Sequence, residues 1–467
     1  VSTRGAAPVL DFEDAALTGL ARDGGLYVPE SWPRLSREQI ADLAGKPYAE
    51  AAAQIMAPFM GDAMPPDELR DMLARAYAPF RHPATAPLVQ TGPNDFILEL
   101  FHGPTLAFKD FAMQVLAPVM ERALKRRGER AAIVAATSGD TGGAAVEAFA
   151  GRERIDLFVL HPEGRTSEVQ RKQMTTVDVP NVHNIAVRGN FDDAQAIVKA
   201  LFNDHGFRDR HRLAAVNSIN WARIMAQVVY YFTAAVTLGA PHRPVSFSVP
   251  TGNFGDIFAG YVARQMGLPI DRLVIATNIN DILARTLETA RYERAQVVAT
   301  SSPSMDIQVS SNFERLLFEM SGRDAGLVRA QMDTLAQSGG FTLEPAQFEA
   351  LKALFAAARA DEAQTAGAIR ALYNAAGYIA DPHTAVGVHA ACTCRGDGAV
   401  PMVTLATAHP AKFPDAIEAA IGLRPALPEL LRRRLAAPER YETLDADQAQ
   451  IAEYIAARTT DTAGLPA

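Results

Sequence analysis

Between residues 131 and 289 the chain alternates short apolar runs with helical ones, and this rhythm limits the fold more than any other feature. The runs are Ala131–Ala136, Ile155–Leu160, Val182–Val187, Leu213–Val216, Val245–Val249 and Leu273–Ala276. Helical segments follow them at 144–150, 167–174, 192–202, 221–238, 256–265 and 281–289. Short apolar strands separated by helices assemble as right-handed βαβ units around parallel sheet. An α/β fold of the enzyme type is therefore expected. A chain of 467 residues is too long for one small core, so two or three domains are expected.

The flanks read differently. Residues 1–100 form a mostly helical preface. Ser36-x-x-Gln39 reads as a capping box opening a short helix that ends near Gly45. Pro65-Pro66-Asp67-Glu68 opens another, with Leu69, Met72, Leu73 and Ala76 on one face. Phe96–Leu100 reads as a strand, and Phe111–Arg127 as a helix with a basic end. Residues 313–378 are Ala-rich, with Phe348, Leu351, Leu354 and Phe355 at helical spacing, and predict a helical excursion. Strands are expected to resume at Gly377–Ile379 and Met402–Leu405. Residues 426–467 predict a tail of surface helices, frayed from Thr459 onward.

Several function classes are excluded. The net charge of −8 opposes nucleic acid and anionic membranes, and Lys125-Arg126-Arg127 reads as a solvated helix end. The apolar run Trp221–Leu238 contains Arg223 and Gln227 and predicts a core helix, not a membrane span. Two cysteines, Cys392 and Cys394, cannot make a disulfide framework, and C-x-C without a second pair is a poor zinc signature. They are expected to be reduced thiols in a cytoplasmic protein. Val1–Gly5 shows no apolar stretch of a secretory signal. No metal is expected, since the 10 histidines include no HExxH, and no G-x-S-x-G supports a hydrolase triad.

Chemistry is expected where strands end and helices begin. Thr137-Ser138-Gly139-Asp140-Thr141-Gly142-Gly143 packs hydroxyls and glycines at a helix N-terminus, which suits a carboxylate or phosphate. It equally suits a Gly-rich turn with a capping side chain. Pro250-Thr251-Gly252-Asn253-Phe254-Gly255-Asp256 lets backbone approach a ligand closely, yet it is neither GxGxxG nor a Walker loop; a cofactor phosphate is the better match. Asn217-Ser218-Ile219-Asn220-Trp221-Ala222-Arg223 offers amides, a hydroxyl and an arginine for a substrate phosphate; a capped helix whose arginine meets a surface carboxylate is the plainer alternative. In Thr404–Lys412, Thr407 offers a hydroxyl to a heterocyclic nitrogen and Lys412 adds a positive charge; His409 reads as structural.

The stretch Phe101–Phe111 places Lys109 among Phe101, Leu106, Phe108 and Phe111, directly before a helix. Apolar surroundings disfavour the ammonium form and suit a lysine that forms a Schiff base, although a helix-start lysine with its amine in solvent has the same sequence signature. One nucleophilic lysine, two anion loops and a ring-facing hydroxyl together match pyridoxal 5'-phosphate.

At these residues the chain resembles the longer threonine synthases, in the fold-type II family of pyridoxal-phosphate enzymes. The matching stretches include Ser2-Thr3-Arg4-Gly5, Asp23–Glu30, Phe101–Phe111, Thr137–Gly142, Asn217–Arg223 and Pro250–Asp256. They continue through Met305-Asp306-Ile307, Ser310–Arg315, Asp381–Gly387 and Leu405–Pro414. The resemblance implies a two-lobed, tryptophan synthase beta-like architecture. It would comprise an N-terminal extension (1–100), a catalytic core (101–425, smaller lobe about 125–240) and a C-terminal tail. Lys109 would hold the cofactor and act as the catalytic base. Gly252, Asn253, Phe254 and Gly255 would bind its phosphate, and Thr407 would face its pyridine nitrogen. Ser138, Gly139 and Thr141 would take the substrate carboxylate; Asn217, Ser218 and Arg223 would take the substrate phosphate. Asp140 stands where many fold-type II relatives carry Asn, and is expected either to be protonated or to turn away and cap its helix. The implied reaction is loss of phosphate from O-phospho-L-homoserine and addition of water to give L-threonine. A monomer or homodimer is expected. A phosphohomoserine lyase, a serine or threonine dehydratase, or a non-catalytic phosphometabolite-binding protein are the alternative expectations.

Overall fold

The computed structural model describes residues 1–137 and 139–459. The strand–helix rhythm resolves into two sheets. Ala131–Ala136, Ile155–Pro162, Val182–Arg188 and Leu213–Ala214 form one, with every pairing parallel, and Glu442–Asp445 completes its edge beside Val182–Arg188. The second sheet has the spatial order Leu88–Gly92, Asp95–Glu99, Met402–Ala406, Val245–Pro250, Ile270–Thr277, Phe355–Arg359. Only its first pair, a hairpin, is antiparallel. The α/β expectation and the two-lobed parallel arrangement are met.

Helix boundaries follow local chemistry closely. Ser36 and Gln39 form the reciprocal capping box that opens Arg37–Ala41. Pro66 opens Pro66–Tyr77, which buries Leu69, Met72, Leu73 and Ala76. The run from 221 forms a core helix, Trp221–Thr237, almost entirely buried. Among the described residues no helix is long and apolar enough to cross a membrane.

Three segments depart from expectation, two of them because of pairing that is distant in sequence. The helix Pro345–Leu354 ends where Phe355–Arg359 begins as a strand, parallel to Leu273–Thr277. Its Ala356, Ala357 and Ala358 favour helix intrinsically, but an open sheet edge outweighs that preference. The 313–378 region is therefore not wholly helical; it also holds Gly340–Thr342, paired with Arg291–Glu293. Residues 377–379 form no strand; Gly377 caps the helix Glu362–Ala376 in a left-handed conformation, and the chain runs irregularly to Asp381. The tail is more than surface helices. Glu442–Asp445 pairs with the smaller sheet, and Ile451 and Ile455 are fully buried against it.

The preface braces the helix that presents Lys109. Phe111, fully buried, meets Tyr48 and Phe80 edge-on at 5.5 and 4.7 Å, and Tyr230 at 5.6 Å. Burying such a ring is worth roughly 1.5–3 kcal/mol. Arg122, on the same helix, bonds Glu13 and Glu68. The start of Lys109–Arg127 is thus fixed from the side of residues 1–100.

Candidate active site

Lys109 stands in the first turn of its helix, at a corner stitched to the end of strand Met402–Ala406. The Phe108 N–H donates to the Thr407 carbonyl at 2.8 Å, and His409 N–H donates to the Leu106 carbonyl at 3.0 Å. Thr105 closes the turn from below: its N–H and hydroxyl donate to the two oxygens of buried Asp110 at 2.8 and 2.6 Å. Burial pushes the Asp110 carboxyl up to about 7, against the lowering effect of those bonds. Lys109 and Thr407 are therefore neighbours by backbone construction.

The Lys109 side chain is 13% exposed. Burial brings its amine down from 10.5 to about 8; Asp140 opposes this, while Arg223 and Lys412 add to it. The apolar-company reading of the sequence is met, and the alternative of an amine in solvent is not.

Asp140 behaves as neither expectation held. It does not cap its helix: no side chain caps Asp140–Phe149. Nor is it protonated. Burial favours the neutral acid, but Lys412 and then Lys109 overcome that and hold the carboxyl well below the usual carboxylate range. Lys412 Nζ lies 2.7 Å from Asp140 Oδ1 and Lys109 Nζ 3.9 Å from Oδ2, while Gln170 Nε2 donates to Oδ1 at 3.0 Å. Lys412 is fully buried and also donates to the Thr105 carbonyl at 3.0 Å. Its sequence signal was one positive charge after a strand, which gave no hint of this partner.

Arg223 is 2% exposed and makes no ion pair among the described residues. One guanidinium nitrogen donates to the Val216 carbonyl at 3.0 Å, and the buried Nε has no partner. Burial lowers its pKa from 12.5 to about 10. The surface-carboxylate alternative is excluded. Asn217 is exposed and Ser218 half-buried at the mouth of the same turn.

The loop after Val245–Pro250 is built for close backbone approach. A Cβ on Gly252 would sit 2.9 Å from the Ser304 carbonyl oxygen. Phe254 has φ +64°, a left-handed conformation rare for a bulky residue, and opens the helix Gly255–Gln265. Its ring, 1% exposed, is clamped by Phe313 at 5.4 Å. The Asn253 carbonyl of the same loop accepts from the Asn312 N–H at 3.0 Å.

The carboxylate-type loop is ordered by Thr137, whose hydroxyl accepts from the N–H groups of Gly139 and Gly142, both at 3.0 Å. Thr141 is half-buried on the first turn of the helix; Ser138 lies outside the described residues. His409 is structural: its Nδ1 accepts from the Ala411 N–H at 3.1 Å, and burial lowers its pKa to about 4. Among the described residues no group of His, Cys, Asp or Glu could hold a metal.

These features fit pyridoxal phosphate. The charged neighbours of Lys109 are Lys412, Arg223 and one carboxylate, Asp140, an excess of buried positive charge that suits anionic groups. The loop at Gly252 presents helix N-terminal backbone with no room for a side chain. The amine of Lys109 is poised to bond an aldehyde.

Comparison with known proteins agrees with this geometry. Three family models match: threonine synthase N terminus over residues 1–77, pyridoxal-phosphate dependent enzyme over 88–403, and threonine synthase, C-terminal, over 384–455. The threonine synthase of Pseudomonas aeruginosa is 52% identical over 97% of both chains. The crystal structure of PLP-bound threonine synthase from Brucella melitensis superposes with TM-score 0.96 at 57% identity, covering 98% of this chain and 99% of that one. Yeast threonine synthase gives TM-score 0.93 at 40% identity, over 98% of each chain.

Proposed function

The chain belongs to the threonine synthase family of pyridoxal-phosphate dependent enzymes, and from that premise we propose how its own residues divide the reaction. It is a pyridoxal-phosphate dependent lyase that makes threonine. We take its substrate to be O-phospho-L-homoserine, and the observation that carries this is Arg223: a buried guanidinium with an unpartnered nitrogen and no carboxylate. A buried guanidinium whose N–H groups are not met within the fold gains from an anion brought in from outside.

In this reading Lys109 holds the cofactor, and the backbone of Gly252, Asn253, Phe254 and Gly255 takes its phosphate. Thr407 meets the ring nitrogen with a hydroxyl, which does not force that nitrogen to carry a proton. Pyridoxal phosphate, when bound, withdraws electrons from the substrate carbon that bears the amine, so that protons there become removable. Lys109 removes the α proton and later returns one; an amine near pKa 8 is suited to both directions close to neutral pH. Gly139 and Thr141, with Ser138, hold the substrate carboxylate. Asn217, Ser218 and Arg223 hold the substrate phosphate and stabilise the charge that leaves with it. A proton also leaves the β carbon as phosphate departs from the γ carbon with its bonding electrons, the γ carbon takes up a proton, and water then adds its hydroxyl at the β carbon.

Asp140 and Lys412 form a neutral pair beside Lys109. The pair keeps the carboxylate ionised while limiting how far it raises the lysine. We propose a working unit of an N-terminal segment 1–100, a core 101–425 and a tail 426–467, as a monomer or homodimer in the cytoplasm, in keeping with two free cysteines.

Product analysis with O-phospho-L-homoserine tests the reading. Threonine and phosphate in equal amounts are expected. 2-Oxobutyrate and phosphate as the main products would replace it with the lyase.

A further inference from the structure

The stretch Ser310–Arg315 has no role in the chemistry above, yet it sits between the two loops assigned to phosphate. Asn312 is fully buried. Its Nδ2 donates to the Ser218 carbonyl at 3.1 Å and to the Asn253 carbonyl at 3.0 Å. Its N–H donates to the same Asn253 carbonyl at 3.0 Å. One amide nitrogen thus joins the substrate-phosphate turn to the cofactor-phosphate loop. Space is tight there: a Cβ on Gly255 would lie 3.2 Å from Asn312 Nδ2. Asn312 occupies the N-cap position of Phe313–Met320, but it makes no cap with its side chain, which reaches across to the loops instead.

Arg315 fixes Asn312 from behind. It is the largest fully buried side chain of the molecule's described part, and one of its nitrogens donates to Asn312 Oδ1. That bond settles the amide's orientation, because the guanidinium has only donors and Nδ2 must then face the two carbonyls. The other nitrogens donate to the Tyr27 carbonyl at 3.0 and 2.9 Å and to the Ile219 carbonyl at 2.6 Å. Ile219 belongs to the substrate turn and Tyr27 to the N-terminal preface. Ser310 adds a bond from its hydroxyl to the Gly252 carbonyl at 2.5 Å.

We propose that Asn312, oriented by Arg315, is a positioning residue that makes the two loops move as one, so that occupation of the substrate-phosphate turn tightens the hold on the cofactor. This rests on the phosphate assignments of the preceding section. Each loop is held in its binding geometry by the same amide, so ordering one removes part of the entropy cost of ordering the other. By linkage the effect is reciprocal.

The test measures the dissociation constant of pyridoxal phosphate from the full-length enzyme, with and without saturating 4-phosphonobutyrate. This probe carries a phosphonate and a carboxylate but no amine, so it cannot compete for the aldehyde. In the unsubstituted protein the probe should tighten cofactor binding by about tenfold, within the usual range for coupled sites. Asn312→Asp keeps the acceptor for Arg315 but faces both carbonyls with an oxygen; its unfolding midpoint should fall while the protein stays folded at the assay temperature, and the probe's effect should drop to a ratio near one. Arg315→Lys should restore part of the coupling that Arg315→Met abolishes. A ratio near one in the unsubstituted protein, or about tenfold coupling retained in Asn312→Asp, overturns the inference. Arg223→Ala separates this from its premise: if that variant binds the probe as tightly as the unsubstituted protein, the phosphate assignment of the turn has failed instead.

Discussion

Lys412 and Arg223 are both buried cations within reach of Lys109, and they have opposite company. Lys412 lies 2.7 Å from an ionised carboxylate and donates to a carbonyl as well. Arg223 has one carbonyl, an unpartnered nitrogen and no carboxylate. The first charge is balanced inside the fold and so contributes to holding it. The second is left unbalanced by the fold and waits for a charge brought in by a ligand. How completely the fold satisfies a buried cation therefore separates these two: Lys412, like Arg315 with its carbonyl and amide partners, is scaffold, and Arg223 is left for recognition.

The largest expected effect lies at the residue between them. Lys109→Ala should lower threonine formation by at least about a thousandfold, since it removes both the bond to the cofactor and the proton carrier. Borohydride treatment of the unsubstituted enzyme should fix the cofactor to Lys109, as peptide mapping would show; turnover near the original rate in Lys109→Ala would discard the mechanism.

Next comes the comparison itself, made with the same substitution at both sites. Lys412→Met leaves Asp140 buried without its closest partner, and should cost roughly 3–5 kcal/mol in denaturant unfolding of the cofactor-free protein. Lys412→Met combined with Asp140→Asn should recover most of that. Arg223→Met, by contrast, should leave unfolding free energy unchanged or slightly raised, because it removes a desolvated charge that nothing in the fold balances. Equal destabilisation by Lys412→Met and Arg223→Met would erase the distinction.

The strand and loop positions were legible in the sequence because they are written locally. Apolar runs at strand length, a capping box at Ser36 and glycines beside hydroxyls each depend on neighbours within a few residues. Thr137, Gly139–Gly143 and the loops at 217–223 and 250–256 accordingly lie where their composition placed them. Most of what escaped was set by partners far along the chain, although the hairpin strand Leu88–Gly92 and the Gly377 cap are local. Phe355–Arg359 is a strand because the edge of Ile270–Thr277 lies open beside it, and Glu442–Asp445 because Val182–Arg188 does. Asp140 is ionised because Lys412, distant in sequence, packs on it. Asn312 and Arg315 lay in a stretch that marks the family, but nothing in their spacing reveals that one amide spans two loops.

A smaller effect concerns pH. Because burial lowers the folded pKa of Lys109 from 10.5 to about 8, the unfolded chain binds the extra proton between those values. The cofactor-free protein should therefore gain stability from this group as pH rises from about 8 to 10.5, and lose it as pH falls through that window. Lys109→Met should flatten that part of the stability profile; an unchanged slope would show that the lysine is not desolvated.

The smallest effect is expected at the basic helix end. Arg127 bonds Asp14 and both side chains are partly exposed, so Arg127→Ala should shift stability by no more than about 0.5 kcal/mol.

The central claim, that Arg223 waits for the substrate's phosphate, is tested most directly by two reactions of one variant. In Arg223→Ala, kcat/KM for O-phospho-L-homoserine should fall by about 10–150-fold, the worth of a hydrogen bond to a charged group. Exchange of the α proton of 2-aminobutyrate with deuterated water needs Lys109 and the cofactor but no phosphate, and should change by less than about threefold. A parallel fall in both reactions would contradict the account, because Arg223 would then serve the cofactor or the fold and not the substrate's phosphate.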